Sequence, residues 1–102
     1  MNSELGIQIA REIDNDIRYF VRGMQDQGPV TAESVEGFLV RARRRQIRAD
    51  QVRDRLNYLV SLKDLERHVE WNAGAELKHY TITAQGMQRM DGVIPPEEWK
   101  AR

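Results

Sequence analysis

Cysteine is absent from this 102-residue chain, proline occurs three times, and aromatic side chains are few: two Trp, three Tyr and two Phe. Without thiols there is no disulfide framework and none of the usual cysteine-bearing structural zinc sites. A chain of this length must then be held by one modest core, as a single domain. Long hydrophobic runs are lacking as well. No apolar stretch approaches the roughly 18 residues that a membrane span needs. The opening MNSELGIQIAREIDND breaks its apolar residues with acids and has no cationic start followed by an apolar block, so it does not read as a secretory signal. A cytoplasmic location is expected. An excess of either charge sign is missing too: 16 Lys and Arg stand against 16 Asp and Glu, for a formal net charge of zero. That argues against a protein that coats nucleic acid by bulk attraction, because such domains are strongly basic. Catalytic signatures are equally sparse. Ser3, Ser34 and Ser61 stand in no nucleophile-elbow pattern, and no glycine-rich phosphate loop occurs. Neither an enzyme activity nor a cofactor is expected.

What is present is periodicity. Leu5, Ile9, Ile13, Ile17, Phe20 and Met24 recur at steps of three and four with charged residues between them, which predicts an amphipathic helix over about residues 3–25. The DQGPV stretch ends it, since Gly28 permits a turn and Pro29 disfavours helical geometry in the residue before it. Thr31 with Ser34 supplies caps for a second helix, about 31–44, carrying Val35, Phe38, Leu39 and Ala42 on one face. Val52, Leu56, Leu59 and Val60 predict a third, about 49–62, opening at Arg48, Ala49 or Asp50. The period then drops to two, and LERHVEWNAGAELKHYTIT reads as strand, turn and strand over about 65–82, reversing at Asn72, Ala73, Gly74 and Ala75. Thr83 caps a last helix, about 83–91, with Met87 and Met90, and residues 93–102 leave as a tail bearing Val93, Ile94 and Trp99. The class is α+β.

The neutral total hides a polarised distribution. Residues 1–40 carry three basic and seven acidic side chains, net −4, whereas 41–55, RARRRQIRADQVRDR, carry seven basic and two acidic, net +5. Two readings stand for that run. Cations are favoured near a helix C-terminus, where Arg41, Arg43, Arg44 and Arg45 fall, and a solvated helix end or a surface for an acidic protein partner would suffice. Five net charges in fifteen residues exceed what capping needs, which favours a polyanion.

Helix, helix, short turn, helix and two-stranded hairpin, in that order, resemble a winged helix-turn-helix domain. IRADQVRDRLNYLVSLKDLER is similar to the segment of winged-helix transcriptional regulators in which a small turn precedes V-x-x-x-L-x-x-L and an apolar residue entering the wing, with Val52, Leu56, Leu59 and Leu65 in those places. YTITAQGMQRM resembles the Y-x-L-T-x-x-G-x-x-x-L ending of the wing, through Tyr80, Ile82, Thr83, Gly86 and Met90. The resemblance implies a winged-helix domain over residues 1–92 that binds double-stranded DNA, with the third helix in the major groove and the wing beside the backbone. Carried over by position, Arg43, Arg44, Arg45 and Arg48 would hold phosphates, and Gln51, Arg55, Asn57 and Tyr58 would face bases together with Asp54. Asp50 and Asp54 depart from the pattern by placing negative charge on the reading helix, and the wing tip NAGAE carries an acid where Arg or Lys is usual. A fainter likeness, through Thr83, Gly86, Val93, Pro95 and Pro96, links the chain to small winged-helix proteins of Mu-like phages. A protein-interaction adaptor on the same scaffold is the competing reading, because members of the fold that mediate protein contacts share these departures.

Two further features have a plain and a sharper interpretation. His68 and His79 would face each other if the hairpin loop has two residues, yet a zinc site needs three or four ligands and the nearby Glu66, Glu70 and Glu76 follow no recognised spacing, so no metal is expected. Tyr58 and Trp71 could stack on bases, although a strand Trp more often packs within the protein. The long apolar stripe of the first helix, with the tail around Trp99, offers a surface for a homodimer.

Overall fold

A computed structural model describes residues 4–42 and 47–93, and the side chains of residues from Ile9 onward within those ranges. The chain runs α1 (Glu4–Met24), a 3-10 turn (Gln25–Gln27), α2 (Ala32–Ala42), α3 (Ala49–Leu62), β1 (Leu65–Asn72), β2 (Ala75–Ile82) and α4 (Ala84–Met90). The fold is α+β: three helices, an antiparallel hairpin and a closing helix. No helix among the described residues is long and apolar enough to cross a membrane.

The core forms where the apolar stripes meet. Ile13, Ile17 and Val21 of α1 pack with Val35 and Leu39 of α2, Val52, Leu56 and Leu59 of α3, and Leu65, Tyr80 and Ile82 of the hairpin. Phe20 and Phe38 stack at 4.6 Å between centroids, joining α1 to α2. The core is shorter than α1, whose 21 residues extend about 31 Å at 1.5 Å each. Ile9 and Met24, expected on the apolar stripe, therefore overhang it and remain 43% and 40% exposed. Ala42, expected on the apolar face of α2, is exposed as well.

Local chemistry sets each boundary. The Thr31 and Ser34 side chains each accept the other's backbone N–H, at 3.2 and 2.9 Å, to start α2. α3 ends in a left-handed residue: Lys63 has φ 74°, its N–H donates to Val60 O, and Asp64 N–H reaches back to Leu59 O, a Schellman arrangement without glycine. Ala73 (φ 54°) and Gly74 (φ 81°) make a two-residue turn with both positions left-handed, which pairs Asn72 with Ala75 and fixes the hairpin register. Thr83 Oγ1 accepts the Gly86 N–H at 3.0 Å and opens α4. A Cβ on Gly86 would lie 2.3 Å from Asp64 O, so glycine there lets α4 approach the α3–β1 junction. Two donors on the outer edge of β2, which no strand pairs, are also satisfied: Tyr80 N–H by Val30 O at 2.9 Å and Ile82 N–H by Gln25 Oε1 at 2.8 Å.

Candidate nucleic-acid interface

α3 turns Val52, Leu56 and Leu59 fully inward. By the 100° step of a helix, the line opposite them runs through Asp50, Asp54, Asn57 and Ser61, all exposed. Gln51 and Arg53, also exposed, flank that line on either side. Arg48 is the residue before the first turn, and its backbone N–H donates to Gln51 Oε1 at 2.9 Å. Its guanidinium reaches Asp50 at 3.1 Å in full solvent, and that hydrogen bond holds the Asp50 carboxyl below the ordinary carboxylate value.

The expected base-facing residues separate into two sets. Gln51 and Asn57 stand on the exposed side, whereas Arg55 turns towards α1 and Tyr58 packs at the edge of the core, both half-buried. Arg55 donates from Nε and Nη2 to the two carboxylate oxygens of Asp14, at 2.8 and 2.6 Å, and its guanidinium lies 4.6 Å over the Tyr58 ring. Asp14 is itself buried. Burial pushes its carboxyl above the ordinary value of 3.8, with the Arg55 hydrogen bonds pulling the other way. Arg43, Arg44 and Arg45 lie outside the described residues.

Between α3, the start of α2 and the hairpin lies a groove of about 560 Å³. Arg53, Arg67 and Lys78 line it together with Asn57, Tyr80, Glu33 and Glu76. The Arg67 guanidinium hydrogen-bonds Asn57 Oδ1 and sits 5.6 Å over the Tyr80 ring, so the wing is tied to α3. Sequence reasoning did not single out Arg53, Arg67 or Lys78. For Arg67 the signal was available: alternation from the buried Leu65 places residues 67, 69 and 71 on the face turned to α3.

The largest omission was Asp64. Its carboxylate is fully buried at the α3–β1 junction and accepts from Arg18 Nε of α1 at 2.8 Å, Arg89 Nε of α4 at 2.7 Å and Gln85 Nε2 at 2.8 Å. It therefore holds the root of the wing to the first and last helices.

The hairpin places His68 opposite His79, as a two-residue loop requires, with rings stacked at 5.0 Å. His79 Nε2 lies 2.5 Å from Glu70 Oε2 and His68 Nε2 lies 2.8 Å from Thr81 Oγ1. No group of three or more His, Asp or Glu side chains among the described residues is arranged to hold a metal ion. Trp71 is not packed within the protein; it is 72% exposed.

No family model matches the chain, and no curated protein matches it by sequence. Its fold does match solved structures. A PadR family transcription regulator from hypervirulent Clostridium difficile superposes with a TM-score of 0.61 at 16% identity, over 79% of this chain and 81% of that one. Bacillus subtilis PadR in complex with operator DNA superposes with a TM-score of 0.62 at 16% identity, over 87% of this chain and 51% of that one. The chain thus spans about half the length of the latter. Its winged-helix architecture is shared with transcription regulators of the PadR family.

Proposed function

We propose that the chain is a DNA-binding winged-helix protein, a small transcription regulator acting in the cytoplasm, with α3 as the element that enters the major groove. The observation that carries this reading is the disposition of α3. One side is locked into the core and to Asp14, and the other, bearing Gln51 and Asn57, is exposed and flanked by Arg48, Arg53 and Arg67. A solved structure of the same fold holds operator DNA. Arg43, Arg44, Arg45 and Arg48 hold phosphates, Gln51 and Asn57 meet base edges, and Arg55 and Tyr58 border that surface. The tail likeness to Mu-like phage proteins suggests a phage-related origin.

Such a protein works as a dimer on half-sites about one helical turn, or roughly 34 Å, apart. The exposed Tyr19 and overhanging Ile9 and Met24 of α1, with the tail from Val93 onward, form the proposed contact between copies. Sedimentation at micromolar concentration checks it, and a monomer would exclude that contact.

Titration of a mixed-sequence duplex across salt concentrations tests the reading. Four arginines neutralising phosphates give a log–log slope of roughly −3 to −4, and Arg44→Ala with Arg45→Ala flattens it by about 2. Absence of binding at low salt rejects it. The exposed Trp71 and the acidic outer line of α3 favour a second reading, an adaptor that docks a protein partner. Capture of one specific partner that survives nuclease treatment would support that alternative.

A further inference from the structure

The hairpin has two edges, and they are treated differently. On β2 the outward N–H groups of Tyr80 and Ile82 are taken by Val30 O and Gln25 Oε1. Arg67 lies opposite Tyr80 and Leu65 opposite Ile82, so on β1 it is Arg67, Val69 and Trp71 that point N–H and C=O away from the hairpin. Among the described residues no strand pairs with that edge. The usual guards of an open edge are missing as well: LERHVEWN contains neither Pro nor Lys, and its register runs from Leu65 to Asn72 without a bulge. Val69 and Trp71, both strand formers, are 49% and 72% exposed there. An uninterrupted edge of this kind accepts another strand.

The side chains on β1 decide which strand fits. If the edge pairs antiparallel with its own copy, outward-pointing residues must meet outward-pointing residues, so neighbouring registers differ by a slip of two. With the two-fold axis on Val69, His68 meets the partner's Glu70 and Arg67 meets the partner's Trp71, and the symmetry repeats each pair. Slipping towards the turn sets Glu70 against the partner's Glu70, and slipping towards the root sets Glu66 against it. Like charges directly opposite are unfavourable, whereas acid against imidazole and indole against guanidinium are favourable. One register therefore stands out, and in it the two faces of the strand are both complementary to themselves.

We infer that the outer edge of β1 is a self-association surface, on which two copies join antiparallel about Val69 into one four-stranded sheet. The contact is separate from the α1 contact proposed above, and it stands whether or not the chain binds DNA. Two such two-fold surfaces on one chain would let copies assemble beyond a dimer. The joined edges are short, so the interface belongs to the small class below about 1,200 Å² in total and forms reversibly as concentration rises.

The chain has no cysteine, so single cysteines report the geometry directly. Val69→Cys places two thiols on residues about 5.5 Å apart between Cα atoms, within disulfide reach, and should cross-link under mild oxidation; Glu70→Cys, offset by two residues from its copy, should not. In the unaltered chain, hydrogen exchange at the Arg67, Val69 and Trp71 amides should slow as concentration is raised, with the Glu70 amide unchanged. In sedimentation, Glu70→Lys should weaken this association about 10-fold through its two symmetric pairs, and adding His68→Glu should restore it. Thermal unfolding of each variant at low concentration checks that the hairpin persists. Val69→Lys, on an exposed side chain, should abolish the association by a second route. Exchange that does not depend on concentration, with no Val69→Cys cross-link, overturns the inference. Self-association with unchanged exchange at the three edge amides belongs to α1 and overturns it too. Equal cross-linking of Glu70→Cys overturns the register. Edge protection that appears only when another protein is added assigns the edge to a foreign strand and overturns the choice of partner.

Discussion

Asp64 is the residue on which most of the described fold converges. Two arginines and an amide donate to one carboxylate that no water reaches, and they arrive from α1 and α4, at separations of 46 and 25 residues for the arginines. Removing one partner of a buried ion pair leaves the other charge desolvated, at a cost of about 3–5 kcal/mol. Asp64→Ala should therefore lower stability by that order in a urea titration, the buried Arg18 being the larger penalty because its side chain is only 6% exposed. Gly86→Ala acts at the same junction by a different route. Its methyl would meet a backbone oxygen that cannot rotate away, so a loss of about 1–3 kcal/mol is expected. Two residues point the other way. Lys63 and Ala73 occupy left-handed conformations that a side chain with a Cβ resists. Lys63→Gly and Ala73→Asn should each raise stability by about 0.5–1 kcal/mol, seen as a melting temperature higher by several degrees.

Between elements, the tie from α1 to α3 is ionic as well as apolar, and its pH dependence has a definite sign. Burial raises the Asp14 carboxyl above 3.8 in spite of Arg55. A carboxyl whose folded value exceeds its unfolded one binds more protons when folded, so its contribution to stability is fully present below about 3.8 and is lost as pH rises through the raised folded value. Asp14→Asn should remove that part of the pH profile, and a carbon-detected NMR titration should place the Asp14 midpoint above 3.8. Arg55→Ala should cost about 3 kcal/mol by stranding the Asp14 carboxylate, so any loss of DNA binding in that variant must be compared with its loss of fold. How the elements could be read beforehand follows from the range of the forces. Helix and strand periods are local, and the caps at Thr31 and Thr83 and the Asn72–Ala75 reversal are local too, which is why the order helix, helix, helix, hairpin, helix was legible. The roles of Arg55 and Asp64 were not. A helical wheel centred on Val52 puts Arg55 at the rim, and nothing nearby in sequence announces that Asp14, beside Ile13 and Ile17 on the buried stripe of α1, waits opposite it.

For the molecule as a whole, the placement of charge matters more than its sum. A net charge of zero removes long-range attraction to a polyanion, and Asp50 and Asp54 place negative charge on the outermost line of the proposed reading helix. Asp50 is ionised throughout the neutral range, as any ordinary carboxylate is, and its hydrogen bond from Arg48, which lowers its pKa further, occupies that guanidinium in turn. Both acids should weaken contact with phosphate wherever bases are not matched, which is a means of suppressing indiscriminate binding. The double variant Asp50→Asn with Asp54→Asn should bind mixed duplex about 10-fold more tightly at low salt. The gain should shrink as the screening length falls from about 10 Å at 0.1 M to about 3 Å at 1 M. It should come with poorer discrimination between duplex sequences, because the acids penalise wrong sites more than a right one. Selection from a random duplex pool by the parent and by the double variant measures that directly: a consensus sharper for the parent supports the repulsive role, and identical consensus and affinity would show that these carboxylates stand clear of the nucleic acid.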